Sequence, residues 1–117
     1  MPDVYYFNTD LPVFRERITV NRRIYVLDFE WNTRLSDWRI TISKPGVVEP
    51  IVVDRRVGNA TMISLDRDGL ICFVGGEPYD QSAFLNKQLY MEVATSQEID
   101  AYRAALPSDP LPDLTYA

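Results

Sequence analysis

The chain has 117 residues, 46% of them hydrophobic, which suits one domain with a real core and argues against wholesale disorder. Seventeen acidic against twelve basic residues leave a net charge of −5, a poor basis for sequence-independent nucleic-acid binding, which needs a basic surface. With no histidine and one cysteine, Ser-His and Cys-His nucleophile pairs, thiolate clusters and an internal disulfide are excluded.

Residues 1–12 are polar, aromatic and Pro-containing, and predict a loosely ordered arm. Three strands follow, at about 13–20, 24–31 and 38–43. Their alternation is clean: Tyr25, Leu27, Phe29 and Trp31 share one face, and Trp38, Ile40 and Ile42 repeat the pattern. Phe14, Ile18 and Val20 alternate with Arg15, Arg17 and Thr19, with Glu16 interrupting the apolar face. The link Asn21-Arg-Arg-Ile24 predicts one hairpin, and the polar loop with Asn32, Ser36 and Asp37 a second.

Charge and hydrophobicity together propose a register. Pairing Val20 with Tyr25 sets Ile18 opposite Leu27, Phe14 opposite Trp31, Arg17 opposite Asp28 and Arg15 opposite Glu30. Pairing Trp31 with Trp38 sets Phe29 opposite Ile40 and Glu30 opposite Arg39. Apolar residues then stack on one face, and a cross-strand charge cluster of Arg15, Arg17, Asp28, Glu30 and Arg39 forms on the other.

Lys44-Pro45-Gly46 predicts a type II turn. Ile51-Val-Val53 after Pro50 predicts an edge strand or a bulge, and Arg55 to Asn59 reads as a loop. Met62-Ile-Ser-Leu65 is a short strand, followed by a tight turn at Asp66-Arg-Asp-Gly69. Leu70 to Val74 is apolar on both faces and predicts the most buried strand. Gly75-Gly-Glu-Pro78 ends it. Tyr79 to Asn86 reads as a loop or one helical turn, and Gln88 to Val93 closes the sheet. Thr95-Ser-Gln-Glu98 matches a capping box and predicts a short helix over about 96–105, ended before Pro107, with Ile99, Tyr102 and Leu106 at helical spacing. The tail 107–117 predicts an extended arm. The expected fold is all-β and mainly antiparallel: a small sandwich or barrel of about seven strands over residues 13–106, with one short C-terminal helix.

Carboxylates are the remaining candidates for chemistry. Asp66 and Asp68, with Glu77 and Asp80, suit a hard cation, but the turn lacks the later ligands of a calcium loop and is explained by backbone needs alone. Gly75-Gly76 follows a strand but lacks the Gly-Lys-Ser/Thr ending of a phosphate loop. Asp28 and Glu30 as a hydrolytic pair conflict with the arginines the register sets beside them. Cys72, in an apolar strand, reads as a buried, inert thiol. The expectation is a protein without enzymatic activity, cofactor or metal. Trp31 and Trp38 read as core, with stacking of sugars or bases on an exposed face as the alternative. Tyr5, Tyr6 and Phe7 at one end, and Leu111, Leu114 and Tyr116 at the other, are candidate interface anchors. Ten of the twelve basic residues are Arg, which fits interface use and equally fits codon bias. No apolar run approaches the ~20 residues of a membrane span, and the N-terminus has no signal-peptide pattern.

The segment Phe14…Ile18…Val20, then Tyr25-Val-Leu-Asp-Phe-Glu-Trp-Asn-Thr-Arg34, a short gap and Trp38-Arg-Ile-Thr-Ile42 resembles a family of small phage tail and baseplate proteins that includes a cyanophage baseplate plug. Pro45-Gly46, Gly69-Leu-Ile-Cys72 and Leu89-Tyr-Met-Glu-Val93 continue the likeness, which spans about residues 13 to 94. Its core motif is Phe14, Leu27, Phe29, Trp31, Asn32, Arg34, Trp38 and Ile40. The resemblance implies a virion structural protein, made in the bacterial host cytoplasm. It would act as a plug or connector, oligomeric in the virion and packed against hub, tube or spike components, without nucleic acid or membrane partners. A free-standing carbohydrate-binding β-sandwich is the alternative.

Overall fold

A computed structural model describes residues 3–105. Eight strands and one helix follow in chain order: β1 (Asp3–Tyr5), β2 (Val13–Val20), β3 (Arg23–Asn32), β4 (Asp37–Ser43), β5 (Val52–Val57), β6 (Met62–Leu65), β7 (Gly69–Val74), β8 (Tyr90–Thr95) and α1 (Ser96–Ala105). They form two four-stranded antiparallel sheets, ordered β1-β8-β7-β6 and β2-β3-β4-β5. The sheets face each other across one core, as their alternating apolar faces require. The architecture is the expected all-β sandwich with a short C-terminal helix.

The β3–β4 hairpin has the expected register, Trp31 opposite Trp38, Phe29 opposite Ile40 and Glu30 opposite Arg39. The β2–β3 hairpin differs by two residues: Val20 pairs with Arg23, Phe14 with Phe29 and Arg15 with Asp28. The reason lies in the turn. Asn21 and Arg22 take φ of 52° and 67°, as a two-residue type I′ turn demands, so the hairpin closes tighter than a four-residue link would. An even shift keeps every side chain on its expected face, so the hydrophobic pattern alone does not distinguish the two registers.

Two edge strands carry features that discourage further pairing. Glu16 on β2 points toward the core side between Phe14 and Ile18, half-buried. On β5, a bulge interrupts pairing with β4 between Ile40 and Ile42, where Asp54 has φ 49°. Strand β5 continues through Arg55 and Arg56 to the buried Val57, so the loop expected at Arg55 to Asn59 begins only after Val57. Pro45-Gly46 forms the expected turn, closed by Val47 N–H on the Lys44 carbonyl at 3.1 Å, with Gly46 at φ 78°.

The core is aromatic at one end. Phe84 meets the rings of Phe7, Phe14, Phe29 and Trp38 at 5.0–5.7 Å. It comes from the Tyr79–Asn86 segment, which is a series of turns. Strand β7 is fully buried on one face only: Ile71 and Phe73 point inward, whereas Leu70, Cys72 and Val74 are half-buried on the outside. The capping box forms as read, Glu98 N–H on Thr95 Oγ1 at 3.1 Å and Thr95 N–H on Glu98 Oε1 at 3.0 Å.

The N-terminal segment is part of the domain rather than a loose arm. Asp3, Val4 and Tyr5 pair with Val93, Glu92 and Met91, and Phe7 is buried among Phe14, Phe29 and Phe84. A three-residue strand has no stability of its own; the edge of β8 and the aromatic pocket supply it. The Tyr102 side chain and residues 106–117, with Leu106, Leu111, Leu114 and Tyr116, lie outside the described residues.

Candidate functional site

The motif residues divide by location. Leu27, Phe29, Trp38 and Ile40 are fully buried, and Phe14 and Trp31 pack partly buried against them. The Trp38 indole N–H donates to the Asp80 carbonyl at 3.2 Å, which ties the turn segment to the sheet. Trp38 is therefore core and offers no stacking surface, while Trp31 sits against it at 5.6 Å. Asn32 acts locally. Its Oδ1 accepts the Leu35 N–H at 3.0 Å and shapes the β3–β4 loop. Arg34 is exposed on that loop.

The charge cluster forms in altered pairs on the outer face of β2-β3-β4-β5. Arg15 Nε reaches Asp28 Oδ1 at 2.6 Å, and this hydrogen bond raises the guanidinium pKa. Arg39 turns from Glu30 to Asp37, at 3.1 and 3.2 Å, and donates to the Asp54 carbonyl. That places the nearly buried Asp37 between Arg39 and Arg56, the latter at 3.6 Å. Arg17 faces Val26 instead of Asp28, a direct result of the two-residue register difference. The groove between these groups, about 270 Å³, is lined by Arg15, Asp28, Glu30, Arg39, Thr41 and Asp54.

At the end of the sandwich formed by the β2–β3 turn, the second polar constellation joins the sheets. The Asp68 carboxylate, 4% exposed, accepts from the Tyr25 hydroxyl and from Asn21 Nδ2 at 3.2 Å, with Arg23 Nε at 3.4 Å. Burial pushes the Asp68 carboxyl up. The hydrogen bonds from Tyr25 and Asn21 and the charges of Arg23 and Lys44 outweigh it and hold the pKa below the usual carboxylate range. Burial, then the bond to Asp68, drives the Tyr25 phenol upward. These are structural ties.

The carboxylates considered for a cation are not brought together. Asp66 pairs with Lys44 at 2.5 Å, Glu77 with Arg56 at 2.7 Å, and Asp80 accepts the Ser82 N–H at 2.8 Å. Among the described residues no three of His, Cys, Asp and Glu are grouped to hold a metal. Gly75 has a packing reason. A Cβ there would lie 2.0 Å from the Gln88 carbonyl oxygen, so β7 runs too close to the start of β8 for any side chain. Gly69, at the other end of β7, meets the Ala94 carbonyl in the same way at 2.2 Å.

Beside Gly75, an open cleft of about 520 Å³ is lined by Arg55, Arg56, Asn59, Thr61 and Glu77, with Gly58 and Gly76. Asn59 Oδ1 accepts the Gly75 N–H at 3.1 Å, and Thr61 Oγ1 the Gly58 N–H at 3.0 Å, which leaves the Asn59 amide and Thr61 hydroxyl as donors. Sequence reasoning missed this cleft because it gathers β5, the β5–β6 link and the segment after β7. The juxtaposed arginines after Asp54 were its one visible signal. Of the N-terminal anchors, Tyr5 is half-buried against the core and Phe7 fully buried. Tyr6 is exposed, packed on Tyr90 at 5.4 Å with Lys87 over its ring.

No protein-family model matches the chain, and no curated protein matches it.

Proposed function

We propose that this protein is a non-enzymatic structural component of a phage tail or baseplate, a plug or connector that works through protein–protein contacts. The observation that carries the reading is the Trp-Asn-x-Arg…Trp hairpin at the centre of the fold, the element on which the resemblance to small tail proteins rests. Consistent with it, the polar groups in the interior, Tyr25, Asp68 and Asp37, serve to tie strands and sheets together. Its partners are other tail or baseplate proteins, and its location is the virion. Mass spectrometry of purified particles from the phage or prophage that carries the gene tests this. The protein is expected at a stoichiometry fitting a ring or a central plug. Its absence from intact, gradient-purified particles contradicts the reading.

One observation favours a second reading, a carbohydrate-binding sandwich. The cleft of Arg55, Asn59, Thr61 and Glu77 mixes donors with an acceptor, as polyol recognition requires. Binding on a glycan array that is lost in Asn59→Ala supports this alternative.

A further inference from the structure

The two sheets differ in what they show to the outside. The outer face of β2-β3-β4-β5 is charged. On the other sheet, Ile71, Phe73, Met91 and Val93 point inward, so alternation sends Leu70, Cys72, Val74 and Tyr90 outward. The registers set Met62, Cys72, Glu92 and Val4 in one row across all four strands, with Ser64, Leu70 and Ala94 in the next and Val74 beside Tyr90. Val4 and Met62 are exposed at 46% and 54%, Ser64 is exposed as well, and the others are half-buried. A contiguous apolar sheet face of this kind marks an interaction surface.

One carboxylate stands within it. Glu92 is half-buried and has no hydrogen bond or ion pair among the described residues, whereas Asp28, Asp37 and Asp54 on the opposite sheet are matched to arginines. Its charge is felt across the row, since the Cys72 thiol is pushed up by burial and then by Glu92. At the α1 end of the face, a notch of about 290 Å³ is lined by Leu70 and Ile99 together with Asp66, Arg67 and Asp100.

We infer that the outer face of the β1-β8-β7-β6 sheet docks another protein through a β-structured apolar surface that carries one arginine or lysine over Glu92. The inference deepens the assembly reading and rests on it only in requiring a protein partner. Charge complementarity selects the occupant. A second copy laid face to face would bring two unpaired Glu92 carboxylates into one interface, and a purely apolar partner would bury Glu92 without a countercharge; each carries the desolvation cost of an uncompensated charge. Arginine suits the position best, because its guanidinium is weakly hydrated and pairs bidentately with a carboxylate.

Two cyclised β-hairpin peptides test this by fluorescence anisotropy. One presents three valines and one arginine on a single face; its twin carries glutamate in place of arginine. The arginine hairpin is expected to bind the full chain about tenfold tighter than its twin. Glu92→Gln is expected to abolish that preference and Glu92→Lys to reverse it. Leu70→Asp and Val74→Asp, on the outside of the sheet, are each expected to weaken binding about tenfold while far-UV circular dichroism shows the chain still folded. Equal affinity for the two hairpins, binding by neither, or a preference unchanged in Glu92→Lys overturns the inference. So does a concentration-dependent dimer of the protein alone that Leu70→Asp dissociates, since the second copy is then the occupant. The peptides probe the face and particle composition probes the assembly reading, so either can fail alone.

Discussion

Replacing Tyr25 by phenylalanine removes a single oxygen from the tie between the two sheets. The Tyr25 hydroxyl donates to the buried Asp68 carboxylate, and its loss leaves Asp68 with Asn21 at 3.2 Å and Arg23 at 3.4 Å. A hydrogen bond to a charged group contributes about 1.5–3 kcal/mol, and the remaining partners place the expected loss in the lower half of that range. For a domain of this size the melting temperature falls by roughly 6–9 °C. The loss also depends on pH with a definite sign. Unfolded, Asp68 titrates near ~3.9; folded, it titrates lower. Its contribution is therefore complete above pH ~4 and is lost as pH falls through the folded value. Urea titrations followed by tryptophan fluorescence are expected to show a constant gap between wild type and Tyr25→Phe from about pH 5 to 8, closing under stronger acid. A gap below about 0.5 kcal/mol at neutral pH, or one that persists unchanged when Asp68 is protonated, refutes the reasoning.

Trp38→Ala is expected to cost ~3–5 kcal/mol, enough to unfold much of a domain with ~5–15 kcal/mol to lose; a cost under about 1 kcal/mol by urea unfolding contradicts its place in the core. Phe7→Ala is expected to cost a similar ~3–5 kcal/mol, which separates a buried N-terminal segment from a loose arm, for which calorimetry would record no change. Gly75→Ala forces a methyl group against the Gln88 carbonyl and is expected to cost at least ~1–3 kcal/mol, whereas Gly76→Ala, with open space around it, is expected to be close to neutral. Deleting residues 107–117 is expected to leave the melting temperature unchanged and to weaken assembly; unfolding on truncation would assign the tail to the core.

The β3–β4 hairpin was readable because two independent signals agree there, the Trp31–Trp38 pair and the Glu30–Arg39 charges, and a one-residue slip destroys both. Pro45-Gly46 and Thr95…Glu98 were readable because local backbone chemistry dictates them. The β2–β3 register was not, because a two-residue shift preserves every face and only the left-handed pair Asn21-Arg22 decides it. Strand β1 and Phe7 escaped because their order comes from β8 and from aromatic neighbours distant in sequence. Strand β5 was cut short because Arg55 and Arg56 read as loop, yet β4 supplies their pairing. The Asp68 tie was hidden inside an ordinary turn signal. Asp-Gly signalled a hairpin, and β6 and β7 form one around a turn closed by the Asp68 N–H on the Leu65 carbonyl at 2.8 Å, but nothing in that signal showed the Asp68 side chain reaching across to the other sheet. The cleft and the apolar outer face are properties of strands brought together, and no short stretch of sequence contains either.

The central claim, a structural part of a phage tail or baseplate, is tested most directly by the solution mass of the purified protein. Light scattering would measure it alone and then mixed with each product of the neighbouring genes. The account predicts a ring-sized homo-oligomer or a stoichiometric complex with one neighbour. A monomer whose mass no neighbour changes would contradict it.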